Sequence, residues 1–135
     1  MSEFLDTNVF VYSVSVDPAD APKRDTALEL LGEADIHLSI QVVQEFINTC
    51  LKKARLGQPP QALERTVRQL LTYPCQQPGP DSILRALEIR QRFQTSYWDA
   101  AIIAAAQELG CHTLYSEDLN HGQDYDGLKV INPFR

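Results

Sequence analysis

The chain lacks the marks of several large protein classes. Among its 135 residues, no apolar run approaches the roughly 18 residues that span a bilayer. The opening Met-Ser-Glu-Phe-Leu-Asp has neither the basic segment nor the long apolar stretch of a secretory signal. A cytoplasmic location with no membrane partner is therefore expected. Cysteine is scarce. Cys50, Cys75 and Cys111 are odd in number, widely spaced and never paired as Cys-x-x-Cys, which argues against a disulfide framework and structural zinc. His37, His112 and His121 show no metal-ligand spacing. No Gly-x-Gly-x-x-Gly or Walker-type loop is present, so dinucleotide or nucleoside-triphosphate binding is not expected. Without repeats, low-complexity tracts or linkers, residues 1–135 read as one domain.

Positive charge is also in deficit, with 12 Lys and Arg against 18 Asp and Glu, a net charge of −6. General nucleic-acid binders are usually basic. An enzyme whose pocket is lined by carboxylates for a divalent ion would show this excess of acid. Hydrophobic residues at 44% and charged residues at 22% are ordinary for a soluble globular domain.

What is present is an alternation of short apolar runs with longer amphipathic ones. Strands are predicted at Glu3–Leu5, Ile36–Leu38, Tyr73–Gln76, Thr113–Tyr115 and Lys129–Ile131. Helices are predicted to begin at Val9–Tyr12 and to cover Lys23–Leu31, Gln41–Leu56, Pro60–Thr72, Asp81–Phe93 and Tyr97–Leu109. In the third of these, Val43, Ile47, Cys50, Leu51 and Ala54 form the expected buried stripe. In the fifth, Ile83, Leu84, Leu87 and Ile89 are the expected apolar set. Such βα alternation predicts an α/β fold with a mainly parallel sheet.

Four carboxylates stand where that fold would gather them. Asp6 follows the first strand and so lies at its carboxyl end, the edge where open α/β sheets bind ligands. Asp118 follows the Thr113–Tyr115 strand in the same way. Glu45 belongs to a polar stripe of Gln41, Glu45, Asn48 and Lys52, opposite the apolar one. Asp99 opens the helix Ala100-Ala101-Ile102-Ile103-Ala104-Ala105-Ala106, which is apolar almost all round and should be buried. Each has a local explanation: Asp6 as a turn former, Glu45 as a solvated face, Asp99 as half of a capping box with Ser96, Asp118 as a loop residue. Glu117 is the poorer candidate, because adjacent side chains do not both point into one pocket. Four like charges brought together would raise one another's pKa, and a divalent cation removes that penalty. The cluster thus implies Mg²⁺ or Mn²⁺.

With these residues in place the chain resembles a PIN domain, the small nuclease fold of VapC-type toxins. The matching segments are Phe-Leu-Asp-Thr-Asn-Val at 4–9, Ser-Ile-Gln-Val-Val-Gln-Glu-Phe at 39–46, Ser-Tyr-Trp-Asp-Ala at 96–100 and Leu-Tyr-Ser-Glu-Asp-Leu at 114–119. The closing Val-Ile-Asn-Pro-Phe resembles the end of many such domains. The resemblance implies a three-layer α/β/α sandwich and metal-binding, catalytic acids at Asp6, Glu45, Asp99 and Asp118. Asn8 and Ser116 match polar positions lining the same pocket. It also implies Mg²⁺- or Mn²⁺-dependent cleavage of single-stranded RNA to a 5′-phosphate and a 3′-hydroxyl, a homodimer, and an antitoxin partner. Lys52, Lys53, Arg55, Arg85, Arg90 and Arg92 are the available phosphate contacts, with Lys52 and Arg55 the nearest candidates.

Two other readings compete. A haloacid-dehalogenase-like phosphatase also places an Asp after its first strand, with Ser39 and Glu117-Asp118 as further matches. It requires a second Asp two residues on, where this chain has Asn8. A non-catalytic PIN-fold module binding nucleic acid or protein is the other alternative.

Overall fold

The computed structural model describes every residue except Ala54 and Arg55. In chain order the elements are β1 (Ser2–Leu5), α1 (Thr7–Val14), a 3₁₀ turn (Pro18–Asp20), α2 (Ala21–Glu33), β2 (Asp35–Ser39), α3 (Ile40–Lys52), α4 (Pro60–Leu70), β3 (Cys75–Gln76), α5 (Pro80–Phe93), α6 (Tyr97–Glu108), β4 (Thr113–Tyr115), β5 (Asp124–Tyr125) and β6 (Leu128–Ile131). The strands form one sheet in the order β3-β2-β1-β4-β6-β5. All pairings are parallel except that between β5 and β6.

That order explains where the site lies. From β1 the chain moves outward through β2 to β3, then returns past β1 to β4. Right-handed crossovers in opposite directions place their helices on opposite faces of the sheet. The first group packs α1 on α2 and α3, with α4 on α3; the second packs α5 on α6. The sheet is thus sandwiched between two helical layers, as expected. The two crossovers part between β1 and β4, opening a crevice at the carboxyl ends of those strands.

The core follows from the same arrangement. Phe4 and Leu5 of β1, Leu38 of β2, Leu114 of β4 and Val130 of β6 are all fully buried. Helix α6 is buried almost continuously from Ile102 to Ala106, as its sequence predicts. No helix among the described residues is long and apolar enough to cross a membrane.

Several boundaries differ from expectation. Helix α3 ends at Lys52, short of the predicted Leu56, because its stripe runs out: Leu51 is 69% exposed. Ala54, the last member of that predicted stripe, lies outside the described residues. The buried face is Val42, Val43, Phe46 and Cys50, which keeps Val43 and Cys50 of the predicted stripe, with Ile47 partly buried against the core. Helix α5 is likewise rotated from its predicted apolar set. It buries Ser82, Ala86 and Ile89 and leaves Ile83, Leu84 and Leu87 about half exposed. The short β5 went unpredicted, although Asp126-Gly127 is a hairpin signal. Both residues adopt positive φ, 54° and 96°, as a two-residue turn between antiparallel strands requires.

The α3 reassignment is testable by urea unfolding. Phe46→Ala should cost about 3–5 kcal/mol through the cavity it leaves. Leu51→Ala should stay within about 0.5 kcal/mol. Equal losses would show that α3 packs on the predicted stripe instead.

Candidate acidic active site

Asp6 is the N-cap of α1, and its position is held from three sides. Its backbone N–H donates to the Tyr115 carbonyl at 2.9 Å, continuing the β1–β4 pairing beyond the strand. Its Oδ1 accepts from the Thr7 N–H at 2.7 Å and its Oδ2 from the Ser116 hydroxyl at 2.8 Å. The turn-forming role is therefore real, but it uses only one of the two oxygens. The side chain is buried, and desolvation pushes its pKa up to about 6, with Glu45 and Asp118 adding repulsion against the opposing hydrogen bonds.

The other acids reach the same place from three further elements. A cavity of about 130 Å³ is walled by Asp6, Glu45, Asp99 and Asp118, together with Thr7, Asn8, Gln41 and others. Glu45 accepts from the Thr7 hydroxyl at 3.1 Å and the Gln41 amide at 3.5 Å. Asp118 accepts from the Asn8 amide at 3.1 Å. Burial raises the pKa of both carboxyls, and Asp99 contributes repulsion to each. Four elements thus bring four mutually repelling carboxylates to one cavity.

Asp99 bears on the capping alternative directly. Ser96 does cap α6, accepting from the Asp99 N–H at 3.1 Å. Among the described residues the reciprocal bond from the Asp99 carboxylate is not made, so that group is left to the cavity. Glu117 turns elsewhere, as expected. It accepts from the Tyr12 hydroxyl at 2.8 Å and pairs with Lys23 at 2.7 Å.

The remaining candidates divide. Asn8 lines the cavity and Ser116 reaches it through Asp6. Of the described basic residues, Lys52, Lys53, Arg85, Arg90 and Arg92 do not line it. Arg55 lies outside the described residues. Arg85 and Arg92 both bond Asp126, with Arg85 also on Gln107. Arg85 belongs to a larger cavity of about 590 Å³ around His112 and Asp126, at the amino ends of β4 and β6. Gln41 of the predicted polar stripe is on the wall, and Thr7 and Trp98 are wall residues that the motif reading did not single out. Their signals were the Thr inside Leu-Asp-Thr-Asn and the aromatic pair just before Asp99.

The donor set is oxygen only and acidic, which suits a hard divalent cation. Glu45 Oε2, Asp118 Oδ1 and both Asp99 oxygens have no protein donor among the described residues. Among those residues, however, no three candidate ligands stand at ion-holding spacing. The fit is one of donor chemistry and shared cavity, without a preformed cage.

Fold and site together define a parallel α/β domain with a carboxylate-walled crevice at its topological switch point. The PIN domain family model matches residues 4–123, and the chain belongs to that family. No curated protein matches it. Similar solved structures include a toxin–antitoxin complex from Klebsiella pneumoniae, with 21% identity, 98% of each chain covered and a TM-score of 0.73. The sarcin–ricin-loop-cleaving toxin VapC20 of Mycobacterium tuberculosis has 19% identity over 87% of this chain and 90% of its own, with a TM-score of 0.70. FitAcB from Neisseria gonorrhoeae has 18% identity, 98% coverage of each chain and a TM-score of 0.65. At these identities the likeness is one of fold.

The raised pKa of Asp6 fixes the sign of a stability measurement. A carboxyl whose folded pKa, about 6, exceeds its ordinary 3.8 is destabilising when ionised. Its cost is absent below about pH 4, grows through the interval and is complete above about pH 7. Without added metal, Asp6→Asn should therefore unfold at higher urea than the parent at pH 7.5, by about 1–3 kcal/mol. The gap should close toward pH 4. A gap independent of pH would show that Asp6 is not held ionised against burial.

Proposed function

We propose that this PIN domain is a Mg²⁺- or Mn²⁺-dependent endoribonuclease acting on single-stranded RNA, the toxin of a type II toxin–antitoxin pair. The observation that carries the reading is the convergence of Asp6, Glu45, Asp99 and Asp118 on one cavity at the switch point. Support for the toxin class comes from relatives of the same fold that are toxins or toxin–antitoxin complexes, one of them an RNA-cleaving toxin.

Asp6, Asp99 and Asp118 would hold the ion, with Glu45 directly or through water. Bound there, such an ion would supply positive charge and lower the pKa of a water. The chain's residues do the rest. Thr7 and Ser116 hold Asp6 in one orientation, and Asn8 does the same for Asp118. Glu45, on the cavity wall and with its pKa raised by burial, would take a proton from the attacking water. The water oxygen would bond to phosphorus as the bond from phosphorus to the 3′ oxygen breaks, and the departing 3′ oxygen would take a proton from solvent water, leaving a 5′-phosphate and a 3′-hydroxyl.

Protein partners fit the same reading. The exposed Ile83, Leu84 and Leu87 of α5 form an apolar strip that an antitoxin or a second copy of this chain would cover. The rival is a non-catalytic binding module, favoured by the lack of any ion-ready trio of ligands among the described residues. The two readings part on metal response.

Cleavage of a mixed RNA pool should require Mg²⁺ or Mn²⁺ and stop in excess EDTA. Asp99→Asn should lose at least about a hundredfold in kcat while keeping its fold by circular dichroism. Mg²⁺ should raise the Tm of the parent and leave that of Asp6→Asn nearly unchanged. Cleavage persisting in EDTA sinks the metal mechanism. A metal-stabilised chain that leaves RNA intact favours the binding module.

A further inference from the structure

We propose that Trp98 and the outward amides of α3 form a nucleobase subsite beside the acidic cavity, stacking one unpaired base next to the phosphate to be cleaved. The proposal rests on the nuclease reading above and names what its substrate presents. Trp98 is 65% exposed, at the start of a helix whose middle, Ile102 to Ala106, is buried. Core packing does not account for so large a ring left in water. It stands on the shared wall of two cavities. One is the acidic cavity; the other, of about 280 Å³, is lined by Gln41, Gln44, Glu45, Asn48 and Trp98.

The ring is braced. The Trp98 carbonyl accepts from the Gln41 amide at 3.2 Å, which ties the start of α6 to α3. The indole meets Tyr97 edge to face, with centroids 5.2 Å apart and planes at 76°. A braced aromatic face loses little freedom when something stacks on it. Across the cavity, the side-chain amides of Gln44 and Asn48 form no hydrogen bond to the described protein. Each offers a donor pair and an acceptor. Among the described residues, Glu45 is the one charged group on this wall.

A ligand for such a site needs a flat π-face and an edge rich in donors and acceptors, and it must tolerate one carboxylate. An unpaired nucleobase meets all three conditions, whereas a duplex hides its base faces. The acidic cavity repels the RNA backbone. Neutral stacking and amide contacts at its rim add affinity without a cation. The shared wall places a base on Trp98 next to the phosphate among the acids, which favours RNA over a peptide side chain here.

Trp98 is the only tryptophan in the chain, so its fluorescence reports on this site alone. Short oligoadenylate, oligouridylate and oligocytidylate are titrated in EDTA, and again in Mg²⁺ with the Asp6→Asn chain. A ribose-phosphate chain without bases is the control. Base-bearing strands should quench the emission and the abasic chain should not. In cleavage assays Trp98→Ala should raise KM about tenfold, with a smaller change in kcat, and Trp98→Phe should recover most of the loss.

The subsite is overturned if RNA leaves the emission unchanged while the parent chain still cleaves. It is overturned equally if abasic strands quench as well, or if Trp98→Phe falls as far as Trp98→Ala. Emission that responds only to protein concentration or to an added protein partner would make Trp98 a protein contact. Quenching by base-bearing strands in a chain that never cleaves supports base stacking and counts against the nuclease reading alone.

Discussion

The structure depends on one junction, where β1 ends between two neighbours whose crossovers leave on opposite faces. The Asp6 N–H still reaches across to Tyr115 as a strand residue would, while its side chain already caps α1. That double role leaves the carboxylate no freedom to swing to solvent. A buried charge held this way is costly unless it is compensated. The compensation comes from neutral donors: the Thr7 N–H and the Ser116 hydroxyl. The cavity is thereby fixed in position and left short of positive charge.

That shortage is not for want of a nearby cation. Lys23 lies close enough to pair with Glu117, the residue next to Asp118, but it is also bonded to Tyr12 and packed over the Tyr12 ring. The basic side chain therefore serves the neighbouring carboxylate, and Asp118 is left to the Asn8 amide. Asn8 matters twice. A phosphatase of the haloacid-dehalogenase kind would need an acid there, and an amide cannot act as that acid. Here it orients one. Arg85 and Arg92 are similarly committed, to Asp126 at the other edge of the sheet. Among the described residues, what remains around the four carboxylates is hydroxyl, amide, the Trp98 ring and Ile102.

Much of this was legible in the sequence, and the exceptions have physical causes. Asp6 and Asp118 could be placed at one sheet edge because a carboxylate right after a short apolar strand has little choice of position. Asp99 was legible because the helix behind it is apolar on every side, so its start had to be enclosed. Periodicity failed where burial depends on the partner rather than on the helix. Helix α5 packs on α6 and buries Ala86 and Ile89, while Ile83, Leu84 and Leu87 turn outward. On α3 the stripe was right for Val43 and Cys50 but missed Val42 and Phe46 and misplaced Leu51, which is exposed. Arginine positions carried no spatial information at all. Their long side chains go to whichever acid the fold brings near.

The two sides of the crevice are built to different standards. Helix α6 supplies Asp99 from a turn anchored by five consecutive buried residues, so that carboxylate is positioned by the core itself. Helix α3 supplies Glu45 from a half-exposed face, tied by side-chain bonds to Thr7 and Gln41. A rigid wall and a softer one suit different tasks: the first keeps acids in place against their own repulsion, the second can adjust to what enters. Gln41 joins them, because the same amide reaches Glu45 on its own helix and the Trp98 carbonyl on the other. That amide therefore ties α3 to the residue next to Asp99. The rim and the acidic cavity are mechanically one unit, although their sequence segments lie more than fifty positions apart.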